Sequence, residues 1–148
     1  MSTNPATIIA VTSEDPEHEA VLDRAAALAR ETGATVILFD LDADLGPFES
    51  PLPTHWAGEG EQEQFGDRLD PNDLETAGQE RLADQVRAIR AAGANAYGWL
   101  PRRADAEALA EYAAKQAADV VLISTKDRNL IEGFRSEAIQ VEAVAPRG

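Results

Sequence analysis

The stretch from Ala104 to Thr125, ADAEALAEYAAKQAADVVLIST, constrains the fold more than any other part of the chain. Leu109, Ala113 and Ala117 recur at helical spacing on one face, Asp105 stands where an N-cap belongs, and Val120 to Ile123 follow as an unbroken apolar run. A helix that passes with almost no loop into a strand apolar on both faces points to a parallel α/β sheet.

The rest of the sequence repeats that alternation. Ala6 to Val11 is a continuous apolar and β-branched run apart from Thr7, as a central strand requires. A helix follows at once, with Asp15 as N-cap, Pro16 at the first helical position, an apolar stripe of Ala20, Val21, Ala25, Leu28 and Ala29, and Gly33 closing the end. Val36 to Leu41 reads as the second strand. A second helix is predicted from about Asp73, carrying Leu74, Leu82, Val86 and Ile89 on one side and ending at Gly93. Ala94 to Leu100 is a weak strand in which Asn95, Gly98 and the following Pro101 suit a sheet edge. Only about 14 residues then separate Ser124 from the last strand, Ile139 to Val144, close to the minimum for a parallel crossover with a helix in it. The helix after strand four is therefore shortened or missing. The last strand fits that loss of cover, because Ile139, Val141 and Ala143 alternate with Gln140, Glu142 and Val144 and leave one face largely polar. Right-handed crossovers make the whole an open, mostly parallel, Rossmann-like five-stranded sheet with helices on both faces.

The 148 residues read as one domain, 1–148, long enough to bury about two thirds of the unfolded surface in one core. Acidic residues number 27 against 13 basic ones, a formal charge of -14, and such a surface repels phosphate backbones and anionic headgroups. Neither nucleic acid nor a membrane surface is an expected partner. There is no cysteine, so disulfides, thiolate metal sites and cysteine nucleophiles are excluded. The apolar run at the N-terminus is too short for a signal peptide or a membrane span and has no basic region before it, so a cytoplasmic location is expected.

The opening ATIIAVTSEDP, the helix behind it and the segment Ala104 to Thr125 together resemble the universal stress protein family, whose members carry a comparable acidic-start helix, an Ala-Asp step and a final parallel strand. The resemblance implies strand order 3-2-1-4-5 and a binding crevice between strands one and four, where the chain order reverses. In an open sheet that crevice lies outside the carboxyl ends of the strands, which places Thr12 and Ser13 opposite Ser124 and Thr125. Members of the family that bind ATP end strand one with an aspartate and follow strand four with glycine, two residues, glycine, nine residues, and a glycine before serine or threonine. Here Thr12 stands at the aspartate position, and Leu41 and Ile123 match the apolar positions that flank adenine. Ser124 and Asp127 replace the first two glycines, and the third has no secure counterpart.

Those departures matter physically. The glycines let backbone N–H groups approach phosphate oxygens with no Cβ in the way. Asp127 instead brings a carboxylate, and two unit charges a few ångströms apart at an effective dielectric of about 20 repel by roughly 3 to 4 kcal/mol. Lys126 and Arg128 alternate with Asp127 and read either as partial compensation or as solvated loop charges. Thr12 and Ser13 read as hydroxyls that hold the strand-to-helix turn.

Asp42 to Asp73 is a long acidic connection rich in Gly and Pro, of a kind that is usually functional or mobile; Phe48, Trp56 and Phe65 within it suit packing back onto the sheet. Asp40, Asp42 and Asp44 alternate like the start of a calcium loop, yet Leu45 and Pro51 occupy the positions where glycine and glutamate are needed, so they read as a strand end running into an acidic, solvated loop. No metal site is predicted. His18 and His55 have no i,i+4 histidine partner and read as surface residues. No nucleophile elbow, phosphate-binding glycine-lysine loop or paired-histidine motif is present. The sequence therefore leads to a non-catalytic domain without a cofactor, acting in stress adaptation or regulation with a possible protein partner, as a homodimer through the last strand with Phe134, Ile139, Val141 and Ala143 at the interface. The alternative is a sensor of ATP, another adenine nucleotide or a small molecule that uses Thr12, Ser13, Leu41, Ile123, Ser124, Thr125, Lys126, Asp127 and Arg128.

Overall fold

The computed structural model describes residues 7–13, 15–42, 68–76, 78–101, 105–134 and 139–145. Most of the long acidic connection, with Phe48, Trp56, Phe65, His55 and Asp44, lies outside them. The described strands are β1 (Thr7–Thr12), β2 (Thr35–Asp40), β3 (Asn95–Trp99), β4 (Val120–Ser124) and β5 (Gln140–Val144), and they form one sheet in the order β3-β2-β1-β4-β5. All four pairings are parallel, and β1 sits at the centre with Ile9 opposite Ile37 on one side and Val121 on the other. This is the expected architecture and strand order.

Period-two alternation splits the buried residues into two layers. Ile8, Ala10, Val36, Leu38 and Leu122 face α1 (Glu19–Thr32) and α3 (Glu80–Ala91), meeting Val21, Ala25, Leu82 and Val86. Ile9, Val11, Ile37, Phe39, Val121 and Ile123 face the other way, onto Leu109, Tyr112 and Ala113 of α4 (Ala106–Lys115) and onto Leu130 of α5 (Arg128–Gly133). With six residues, α5 is the shortened helix that the spacing predicts.

Several local features follow the sequence and several depart from it. Gly33 ends α1 at φ 78° with its N–H on Ala29 O at 2.7 Å, and Asp105 caps α4 by accepting the Ala108 N–H. Asp15 also caps as expected, but the unit it caps is a 3-10 turn, Pro16–His18, and the α-helix begins only at Glu19. The single helix expected from Asp73 is two: α2 (Pro71–Thr76) and α3, separated at Gly78, whose φ of 81° no helix accommodates. Ala117 is not on the buried face of α4. It lies beyond the helix at φ 54°, exposed, and Tyr112 completes the buried stripe by stacking on Trp99 with ring centroids 5.1 Å apart.

The β3 edge is closed by the chain itself. Leu69 exchanges two backbone hydrogen bonds with Gly98, each 2.9 Å, and the Arg90 guanidinium donates to Ala96 O at 2.8 Å. Gly98 also lies against α2 and α3 so closely that a Cβ there would stand 2.8 Å from Leu74 Cδ1 and 3.2 Å from Leu82 Cδ2. Gly98→Ala should therefore cost about 1 to 3 kcal/mol by overpacking, read as a lower urea midpoint with an unchanged slope. An unchanged midpoint would mean that the two leucines move aside freely.

Candidate functional site

The strand ends that converge at the crevice carry two hydrogen-bonded networks. The first begins at Asp40, the last residue of β2, whose side chain is 0 % exposed. Arg81 of α3 places one guanidinium nitrogen, Nη2, 2.8 and 2.9 Å from the two carboxylate oxygens, and the Asp42 N–H donates to Oδ1 at 3.0 Å. Arg81 also donates to Gln85 Oε1 at 3.1 Å, which accepts from the Thr12 hydroxyl at 3.2 Å, while Gln85 Nε2 donates to Ser13 O at 3.3 Å. Asp40 is thus a buried, paired anion and not part of a solvated acidic loop. Burial pushes its carboxyl above the usual carboxylate range, against the opposing pull of Arg81.

The second network crosses the crevice. Ser13 Oγ lies 2.9 Å from His18 Nδ1, and His18 Nε2 lies 2.7 Å from Asp127 Oδ2. His18 is 4 % exposed, so the expectation of a surface histidine is wrong. The 3-10 turn that Asp15 caps swings its ring inward, into contact with a residue 109 positions away. A carboxylate only accepts, so Nε2 carries the proton, and in the neutral ring Nδ1 accepts from the Ser13 hydroxyl. Ser13 Oγ in turn accepts the Asp15 N–H at 3.0 Å.

Serine, histidine and aspartate in sequence are the residue types of a hydrolytic relay, but accessibility decides what they can do. Ser13 is 6 % exposed and its oxygen is engaged by both the ring and the Asp15 amide. In this arrangement it holds the turn, the role its sequence position suggests. The unit binds the β1–α1 turn to the β4–α5 turn.

Beside it opens a cleft of about 690 Å³ floored by Leu41, Ala106 and Leu130, with Asp105, Lys126, Asp127, Arg128 and Asn129 around it. Of the residues the sequence assigns to a ligand, Leu41, Lys126, Asp127 and Arg128 line this cleft. Thr12 and Ser13 are buried in the two networks, and Ile123 is fully buried in the core below. Ser124 is buried and accepts the Lys126 N–H at 3.1 Å, whereas Thr125 is exposed and donates its N–H to Val144 O at 2.9 Å. Lys126 reaches towards Glu17 at 3.5 Å. Among the residues assigned to the last-strand interface, Phe134 and Ile139 are buried, Val141 is half-buried and Ala143 is exposed. Among the described residues no group of three His, Asp or Glu side chains is placed to hold a metal ion.

Sequence reasoning missed Asp40, Arg81, Gln85 and His18. One signal was present for the first pair: an acid ending the buried run VILFD needs a cation, and the chain has few. The pair generates a pH-dependent prediction. Because burial raises the folded-state value of Asp40, its contribution to stability is full below the unfolded carboxylate range and is lost as pH rises through that raised value. Arg81→Ala leaves the ionised carboxylate buried alone and should cost about 3 to 5 kcal/mol at neutral pH, with a smaller loss in acid, where Asp40 takes up a proton. Urea unfolding at the two pH values checks this; an equal loss at both would remove Asp40 from the account.

Comparison with known proteins agrees with the sheet order and the crevice. The sequence profile described as the universal stress protein family matches residues 6–142. No curated protein matches the sequence. Among solved structures, a universal stress family protein from Burkholderia pseudomallei aligns with a TM-score of 0.64 at 16% identity, covering 99% of this chain and 100% of the other. A universal stress protein in complex with cAMP aligns at 0.59 and 18% identity, covering 97% and 98%. One from Archaeoglobus fulgidus in complex with dAMP aligns at 0.57 and 19% identity, covering 97% and 99%. With the family profile spanning nearly the whole chain and the sheet in its order, the protein belongs to the universal stress protein family.

Proposed function

We propose that this protein is a non-catalytic regulatory domain of the universal stress type that does not take ATP in its crevice, works in the cytoplasm in stress adaptation, and pairs with a second copy along β5. The observation that carries the first part is the Asp127 carboxylate held by His18 Nε2 at 2.7 Å, at the turn where the family's ATP-binding members place a glycine. A triphosphate entering there meets a fixed negative charge that the surrounding chain does not release to solvent. The absence of an accessible nucleophile at Ser13 supports a non-catalytic role. No helix among the described residues is long and apolar enough to cross a membrane.

A second reading is favoured by the cleft itself and by structural neighbours solved with cAMP and with dAMP. On that reading the crevice is a sensor for a ligand smaller or less charged than ATP, held between Leu41, Ala106 and Leu130 with Lys126 and Arg128 nearby. Calorimetry with ATP, with and without magnesium, is expected to find no micromolar binding. Asp127→Gly should raise ATP affinity by up to about a hundredfold, the equivalent of the repulsion removed. Micromolar binding by the wild type, unchanged in the variant, would sink the proposal.

Pairing along β5 rests on its hydrogen-bond parity. Gln140 N–H donates to Asp119 O and Val144 O accepts from Thr125 N–H, so the even-numbered residues face β4 and Val141 and Ala143 turn their N–H and C=O outward. With Phe134 and Ile139 buried, the contact proposed at this edge comes from Val141, Ala143 and the backbone. The dimer should weaken at low salt because the chain carries a formal charge of -14. Val141→Pro deletes an outward donor without touching the β4 ladder, and light scattering should find the variant monomeric at a concentration where the wild type is dimeric. A monomeric wild type at moderate salt, or a dimeric variant of normal affinity, would assign the interface elsewhere.

A further inference from the structure

We infer that the crevice selects an uncharged ligand bearing a vicinal diol on an apolar ring system, a nucleoside in chemical class, and that His18 is the positioning residue that sets this preference. The inference rests on the reading above that triphosphates are excluded, and it names what the same cleft accepts.

The charges of the lining come first. Asp105 and Asp127 oppose Lys126 and Arg128, so the cleft carries no formal excess of either sign. One of the cations, Lys126, lies towards Glu17, and one carboxylate, Asp105, already caps α4. A bound anion would gain little from such a lining and would face Asp127. The floor of Leu41, Ala106 and Leu130 suits a flat apolar body.

The recognition group is Asp127. Its Oδ2 is fixed by His18, whose own proton placement is fixed through Ser13 and the Asp15 amide. Its Oδ1 makes no hydrogen bond among the described residues, and the side chain is 19 % exposed. A carboxylate held in this way only accepts, and it is matched by a group with two adjacent donors. Vicinal hydroxyls supply them in the way that a carboxylate engages the ribose diol of a nucleotide cofactor. The same carboxylate repels a phosphate placed on the neighbouring carbon. Specificity then comes from the cost of leaving a partly desolvated acceptor unpaired when the ligand lacks a hydroxyl.

Calorimetry on the intact chain with adenosine, 2′-deoxyadenosine, AMP and ATP tests this. Adenosine should bind, and 2′-deoxyadenosine and AMP should each bind about tenfold more weakly, with ATP weaker still. Asp127→Asn removes the charge at a half-exposed position and should bring AMP to within about twofold of adenosine. His18→Gln, checked for normal unfolding, should weaken adenosine about tenfold while leaving AMP nearly unchanged, because the carboxylate is no longer held. Equal binding of the deoxynucleoside, or adenosine affinity unchanged in His18→Gln, overturns the inference. Binding of none of the four overturns it and leaves the exclusion of ATP standing. ATP binding more tightly than adenosine overturns both.

Discussion

Everything in this molecule depends on β1 being buried at all six positions. A strand covered on both faces and paired on both edges has no route to water except at its ends, so helices must lie on both sides and polar chemistry is driven to the carboxyl ends of the strands. Thr12 is the last buried residue of that strand. From its end, one polar network runs through Gln85 and Arg81 to Asp40, and the next residue, Ser13, begins another that reaches Asp127.

The two networks solve the same physical problem in different ways. Asp40 is fully buried and relies on a guanidinium, an arrangement in which desolvation offsets most of the attraction, so the pair contributes little net stability while its disruption is severe. Asp127 is only partly buried and is held by a neutral histidine, so its charge persists at the surface of the cleft. The first network closes the crevice beside α3. The second leaves the crevice open but decides what can enter it.

The sheet was legible because its signals are local: unbroken apolar runs at β1 and β4, Asp105 and Gly33 at helix ends, and too few residues after Ser124 for a full helix. The division between α2 and α3 was not, because a single Gly78 inside an apolar 3.6-residue pattern is compatible with one helix until its backbone angle is known. The site was legible in part. Asp127 stood out against the glycine pattern, but its partner could not be found from spacing, since His18 lies 109 residues away in sequence and its burial depends on a 3-10 turn that delays α1 by one turn. Asp40 and Arg81, separated by 41 residues, escaped for the same reason: pairing across a sheet and a helix leaves no periodic trace.

The closed edge at β3 also limits what assembly can do. Gly98 has both of its outward backbone groups occupied by Leu69, and Ala96 O is taken by Arg90, whereas β5 leaves Val141 and Ala143 facing outward. A sheet with two open edges can add copies at either end and grow into a fibre. This one has a single growing end, so a head-on union of two β5 strands consumes the only reactive edge on each copy and the product is sterile. The Leu69 bridge acts as a chain terminator, setting the upper limit of in-plane assembly at a pair however concentrated the protein becomes.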